Sequence, residues 1–133
     1  MPKKIYIAGP MRGKPYFNFP EFDKAKERLL SLGYDVYSPA DADRAAGFDP
    51  FTMPSDYDWT KLPEGEGWDL KTIAKRCCDA IFDCDGVYLL NGFQASRGSQ
   101  AEIALAVWLG LPYSFQYSQD HFLIADLGDP KGE

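Results

Sequence analysis

Two short segments of this 133-residue chain carry residue types suited to chemistry. The first is Ala8-Gly9-Pro10-Met11-Arg12-Gly13, directly after an apolar run. Gly9 and Gly13 let backbone N–H groups come close to a ligand, and Arg12 offers a planar cationic fork. The pattern is not GxGxxG, so it is no dinucleotide fingerprint, and Gly-Pro after a strand is also an ordinary turn with a solvated arginine. The second segment is Ser96-Arg97-Gly98-Ser99-Gln100-Ala101-Glu102. It leads into a helix N-terminus, where free N–H groups and the helix dipole favour an anion. Ser99 and Glu102 admit two readings. They spell a capping box, with Ser99 as N-cap and Glu102 reaching back to it. Alternatively, Glu102 lies beneath a bound ligand as a nucleophile or acid/base, the role glycosyl chemistry gives a carboxylate beside a developing oxocarbenium centre.

The elements that must position these segments follow from hydrophobic periodicity. Lys3–Ala8 reads as a buried strand that stops at Gly9-Pro10. The segment from Glu21 to Gly33 places Phe22, Ala25, Leu29 and Leu32 at helical spacing, with Gly33 as its stop. Tyr34–Ser38 alternates as a second strand, which completes a βαβ unit with a right-handed crossover. Residues 39–67 show no sustained period and read as a long surface loop or lid, whose Phe48, Phe51, Tyr57 and Trp59 are suited to closing over a base. A helix follows from Trp68 to about Asp83, then an apolar strand Gly86–Leu90, the loop Asn91–Gly98, and a helix from about Ser99 to Leu109. Pro112–Tyr117 is the fourth strand, and Ser118–Glu133 is a tail with one short apolar stretch, Phe122–Ala125. The expected fold is a small, doubly wound, flavodoxin-like α/β domain over residues 1–117, with a parallel sheet of four to five strands. Such sheets bind ligands at the carboxyl ends of their strands, where both chemical segments emerge.

Composition narrows the partners. A formal net charge of -6 argues against a grip on bulk nucleic acid, because that affinity is mostly phosphate neutralised by Lys and Arg. A small anionic ligand needs only one local arginine and a few N–H groups. No apolar run approaches the roughly 20 residues that span a bilayer, and there is no N-terminal apolar leader, so the expected location is cytoplasmic. Cys77, Cys78 and Cys84 match no usual zinc spacing and read as buried thiols, so neither a metal nor another cofactor is expected.

The segment Ile5–Gly13, taken with Asn18-Phe19-Pro20-Glu21-Phe22 and Ser96–Glu102, resembles the nucleoside 2-deoxyribosyltransferase superfamily, which includes the 2'-deoxynucleoside 5'-phosphate N-hydrolases. The likeness is greatest to an often phage-encoded branch and runs in pieces from Lys4 to about Pro112. It implies cleavage of an N-glycosidic bond, with Glu102 as nucleophile and Tyr6 beside it. Gly9, Pro10, Met11, Arg12, Gly13, Ser96 and Gly98 would line the substrate pocket, with Ser96 on a 5'-phosphate. It also implies a homodimer or higher homo-oligomer. Two departures stand out. The family's aspartate, eight residues ahead of Asp85, is replaced by Cys77, for which Asp79 or Asp69 would have to substitute. The N-hydrolases' first-loop serine is replaced by Pro10.

The expected function is therefore hydrolysis or base transfer on a (deoxy)nucleoside 5'-monophosphate, with Glu102, Tyr6 and Asp79 as catalytic residues. The alternatives are a nucleotide-binding or sensor module without turnover, and a plain interaction domain. His121, the only histidine, reads as a surface or interface residue.

Overall fold

Ile5, Tyr6, Ile7 and Ala8 have no exposed surface at all, as a strand covered on both faces requires. They form most of β1 (Lys4–Ala8), the second strand of a four-stranded parallel sheet in a computed structural model that describes residues 2–116. The order is β2-β1-β3-β4, with β2 at Asp35–Tyr37, β3 at Gly86–Leu89 and β4 at Tyr113–Phe115. The chain therefore reverses its direction of winding between β1 and β3, and the crevice of such a sheet opens at that switch point. Tyr117, His121 and the expected tail Ser118–Glu133 lie outside the described residues.

Alternation along β1 decides which helices cover which face. Ile5 and Ile7 pack with Phe19, Phe22, Ala25 and Leu29 of α1 (Phe19–Ser31). Tyr6 and Ala8 point the other way, toward Ile81 of α3 (Leu70–Phe82) and Ala106 of α4 (Arg97–Trp108). The helix α1 starts two residues earlier than its apolar period alone indicates. Before it, Tyr16, Phe17 and Asn18 all hold positive φ, at 53°, 50° and 64°. Each such residue costs about 1–2 kcal/mol. The burial of Phe17 against Phe48, Tyr57 and Trp59 offsets this, and Asn18 Nδ2 donates to the Pro10 carbonyl at 2.9 Å.

The segment expected as a long loop opens instead with a helix, α2 (Pro39–Ala45). The physical reason is a local start signal: Ser38 is extended, Pro39 supplies the preset φ of a first helical turn, and Asp41 complements the dipole. The helix is pinned to α1 by a two-pronged pair, Arg44 Nη1 and Nη2 to the Asp23 carboxylate at 2.9 and 2.7 Å, and by Lys26 to Asp41 at 2.7 Å.

Gly9, at the end of β1, is where backbone meets side chain most closely. A Cβ there would lie 2.7 Å from Leu90 Cβ and 2.8 Å from its Cδ1, so only glycine lets β1 leave the sheet over the end of β3. Gly9→Ala is expected to cost about 1–3 kcal/mol by overpacking, read as a lowered urea midpoint at unchanged m-value.

Candidate active site

A cavity of about 740 Å³, within the range of small-molecule sites, sits at the carboxyl ends of β1 and β3. The loop after β1 contributes Gly9, Pro10, Met11, Arg12, Gly13 and Lys14, and the N-terminal turns of α4 contribute Ser96, Arg97, Gly98, Ser99 and Glu102. All seven residues expected to bind substrate are thus brought together on one surface. The first loop is clamped in place by Gly13 N–H donating to the Trp59 carbonyl at 2.7 Å.

The start of α4 removes the capping-box reading of Glu102. Ser96, not Ser99, is the N-cap: it has extended φ and ψ, and its Oγ accepts from Ser99 N–H at 3.2 Å. The Gln100 N–H donates to the Ser96 carbonyl at 3.0 Å, closing the first helical turn. Glu102 therefore falls in the second turn and has no cap to close, which corrects the capping-box expectation. Its Oε2 instead accepts from the Tyr6 hydroxyl at 2.5 Å. The Ser99 side chain is buried, and its hydroxyl has no partner among the described residues.

Burial governs the chemistry of this pair. It pushes the Glu102 carboxyl up to about 7, against the opposing hydrogen bonds from Tyr6 and Cys77. Tyr6, fully buried beside that carboxylate, is raised well above the usual phenol and stays a donor. The Tyr37 ring stacks on Tyr6 with centroids 5.5 Å apart. Cys77, where the resembling family has an aspartate, lines the cavity, but burial lifts its thiol to about 12 and keeps it neutral.

Neither Asp79 nor Asp69, the expected substitutes for that aspartate, lines the cavity. Asp79 is paired with Lys75 at 2.6 Å on the exposed side of α3, because two residues along a helix turn a side chain about 200° away. Asp69 caps α3 by accepting from Thr72 N–H at 3.1 Å. Of the four aromatics expected to close over a base, only Phe48 lines the cavity, joined there by Trp68. Phe51, Tyr57 and Trp59 stack on Tyr16 and Phe17 instead.

Among the lining residues not singled out from sequence for this site are Asp43, Lys14, Arg97 and Trp68. Ser38-Pro39 followed by Asp41 is a helix-start signal that would have placed Asp43 one turn on. Arg12, Lys14 and Arg97 are exposed at the cavity and form no ion pair among the described residues, which leaves three positive charges for an anionic ligand. No cluster of three or more His, Cys, Asp or Glu side chains suited to a metal occurs among the described residues, and no helix there is long and apolar enough to cross a membrane.

Sheet order and cavity position define a flavodoxin-like fold of the deoxyribosyltransferase type. A solved 2-deoxyribosyltransferase from the psychrotolerant bacterium Bacillus psychrosaccharolyticus, described as a biocatalyst for synthesis of antiviral and antitumoral nucleosides, is similar at a TM-score of 0.56 and 21% identity. The match covers 84% of this chain and 70% of that one, and at such identity the likeness is one of fold. No curated protein matches. The chain belongs to the family described as "Domain of unknown function (DUF4406)", whose model matches residues 3–115.

The raised Glu102 carboxyl has a consequence for stability. Its folded value lies above the ordinary carboxyl range, so the folded state binds the extra proton and stability is lost as pH rises toward and through about 7. Glu102→Gln removes that loss. Thermal melts are expected to show the variant about 2 kcal/mol more stable than the wild type at pH 8, with the two converging near pH 5.

Proposed function

We propose that this protein cleaves the N-glycosidic bond of a (deoxy)nucleoside 5'-monophosphate, by hydrolysis or by transfer to a second base, with Glu102 as nucleophile. The observation that carries this reading is a half-buried carboxylate, held by Tyr6, in a cavity that also presents Arg12, Lys14 and Arg97.

The roles follow from geometry and charge. The sugar sits over Glu102, whose Oε1, the oxygen not held by Tyr6, attacks the anomeric carbon once the carboxyl is ionised. The Tyr6 hydrogen bond fixes the other oxygen and spreads the charge, which holds the attacking oxygen in one direction. The 5'-phosphate lies against Gly98, the Ser96 side chain and the cations, at the positive end of the α4 dipole. Pro10 stands where the resembling hydrolases have a serine and offers no hydroxyl, so the phosphate rests on α4 and the arginines. Water or an incoming base then takes the sugar from Glu102. A cavity of about 740 Å³ supports a small-molecule partner, and the net charge of -6 weighs against bulk nucleic acid. Assembly into a homodimer or higher homo-oligomer is part of the proposal, supported by exposed apolar side chains on α4, among them Trp108 at 84% exposure, and measured by light scattering.

Incubation with a panel of nucleosides and their 5'-monophosphates, with and without a second free base, tests the reading through chromatography of the released base. Release is expected from the monophosphates, and Glu102→Ala and Glu102→Gln are expected to lower it at least a thousandfold, on the order of other nucleophile deletions. Activity surviving both substitutions would remove Glu102 from the role, and tight binding without release would leave a sensor. One limb of the kcat/KM profile is expected near pH 7, where the Glu102 carboxyl exchanges its proton.

A further inference from the structure

The steps above leave one cavity-lining carboxyl unused. Asp43 projects from α2 into the wall that Cys77, Phe48 and Trp68 also line. Its side chain is only 16% exposed, its Oδ1 accepts from Arg76 Nη2 at 2.5 Å, and its Oδ2 has no partner among the described residues. Arg76 is fixed in turn by the Trp68 ring, 5.6 Å from its guanidinium carbon. The helix that carries Asp43 is anchored on its other side by Arg44 to Asp23 and Lys26 to Asp41. One carboxylate oxygen is thus immobilised and the other left available to a ligand.

We propose that Asp43 is the catalytic acid that protonates the departing base. The proposal rests on the reading of Glu102 as nucleophile. As Glu102 Oε1 forms its bond to C1', the C1'–N bond breaks and its electron pair passes to the base, while the proton on Asp43 Oδ2 moves to a ring nitrogen or carbonyl oxygen of that base. The base leaves neutral, and the new Asp43 carboxylate stays beside Arg76. In the second step Asp43 takes a proton from water as the water oxygen bonds to C1', and the electron pair of the ester bond returns to Glu102. Atoms, charge and the Asp43 proton are all restored.

Elimination supports the choice. Among the other acids of the described cavity, Cys77 is too weak at neutral pH, and the Tyr6 proton is committed to Glu102. Arg12, Lys14 and Arg97 lie on the loop and helix start that face the phosphate, not the base. Burial pushes the Asp43 carboxyl up to about 6 in spite of Arg76, so a useful fraction carries its proton near neutrality. The groups that face it are Arg76 and Cys77 from α3 and Tyr37 from β2.

The test compares each accepted nucleotide with its form activated at the base: N7-methylated for a purine, which leaves without needing a proton, or 5-fluorinated for a pyrimidine. Asp43→Asn is expected to slow the ordinary substrate about a hundredfold or more and the activated one less than tenfold. The alkaline limb of the wild-type kcat/KM profile is expected with the ordinary substrate and absent with the activated one, a measurement that does not depend on the variant folding. Equal slowing of both substrates, slowing of neither, or an alkaline limb shared by both would overturn the assignment. Glu102→Gln must abolish turnover of both forms, so a failure there strikes the nucleophile and a failure at Asp43 alone leaves it standing. Absence of base release from the wild type would sink the two together.

Discussion

The hydrogen bond from the Tyr6 hydroxyl to Glu102 joins the centre of the sheet to the second turn of α4, and the site is arranged around it. A half-buried carboxylate on the cavity floor needs a donor, and β1 supplies one because alternation turns Tyr6 toward the α3 and α4 face. The same alternation sends Ile5 and Ile7 to α1, so one strand both seals the core and holds the carboxylate. The bond also explains how Glu102 tolerates its place. Burial drives it toward neutrality, and the phenol and the Cys77 thiol restrain that drift enough for the group to change charge near neutral pH.

The walls on either side of that floor come from different kinds of restraint. The α4 wall is local, a helix start fixed by Ser96. The α2 wall is tertiary, fixed by charged pairs that reach to α1 and α3. Partly exposed pairs such as Arg44–Asp23 and Lys26–Asp41 contribute little to stability. Their value here is positional, since a seven-residue helix is too short to hold its own orientation. The cavity therefore has one wall set by the neighbouring sequence and another set by contacts across the fold.

That difference accounts for what could be read without coordinates. The strands, their parallel order and the two loops at their carboxyl ends were legible because apolar runs and glycine stops report directly on backbone state. Every residue expected to bind substrate lines the cavity for the same reason: strand ends in this topology have one place to go. The capping box misled because Ser96 and Ser99 are both plausible caps, and sequence alone does not fix which serine is extended. Asp79 misled because the helix phase of α3 could be shifted on paper but not against Lys75 and the packing of Ile81. Asp43 was hidden in a segment without period, since a helix of two turns offers too few repeats to register.

The left-handed run Tyr16-Phe17-Asn18 bears on recognition as well as on folding. Three consecutive residues outside their comfortable torsions leave few alternative conformations for the stretch between β1 and α1, and the aromatic rings of residues 48–59 close off most of those. The conformational entropy of the loop is then surrendered when the chain folds and not when a ligand arrives. A small molecule entering the cavity meets Arg12 and Gly13 already in position, so its affinity is reduced little by ordering of the loop, and its selectivity comes from the fixed shape of that wall.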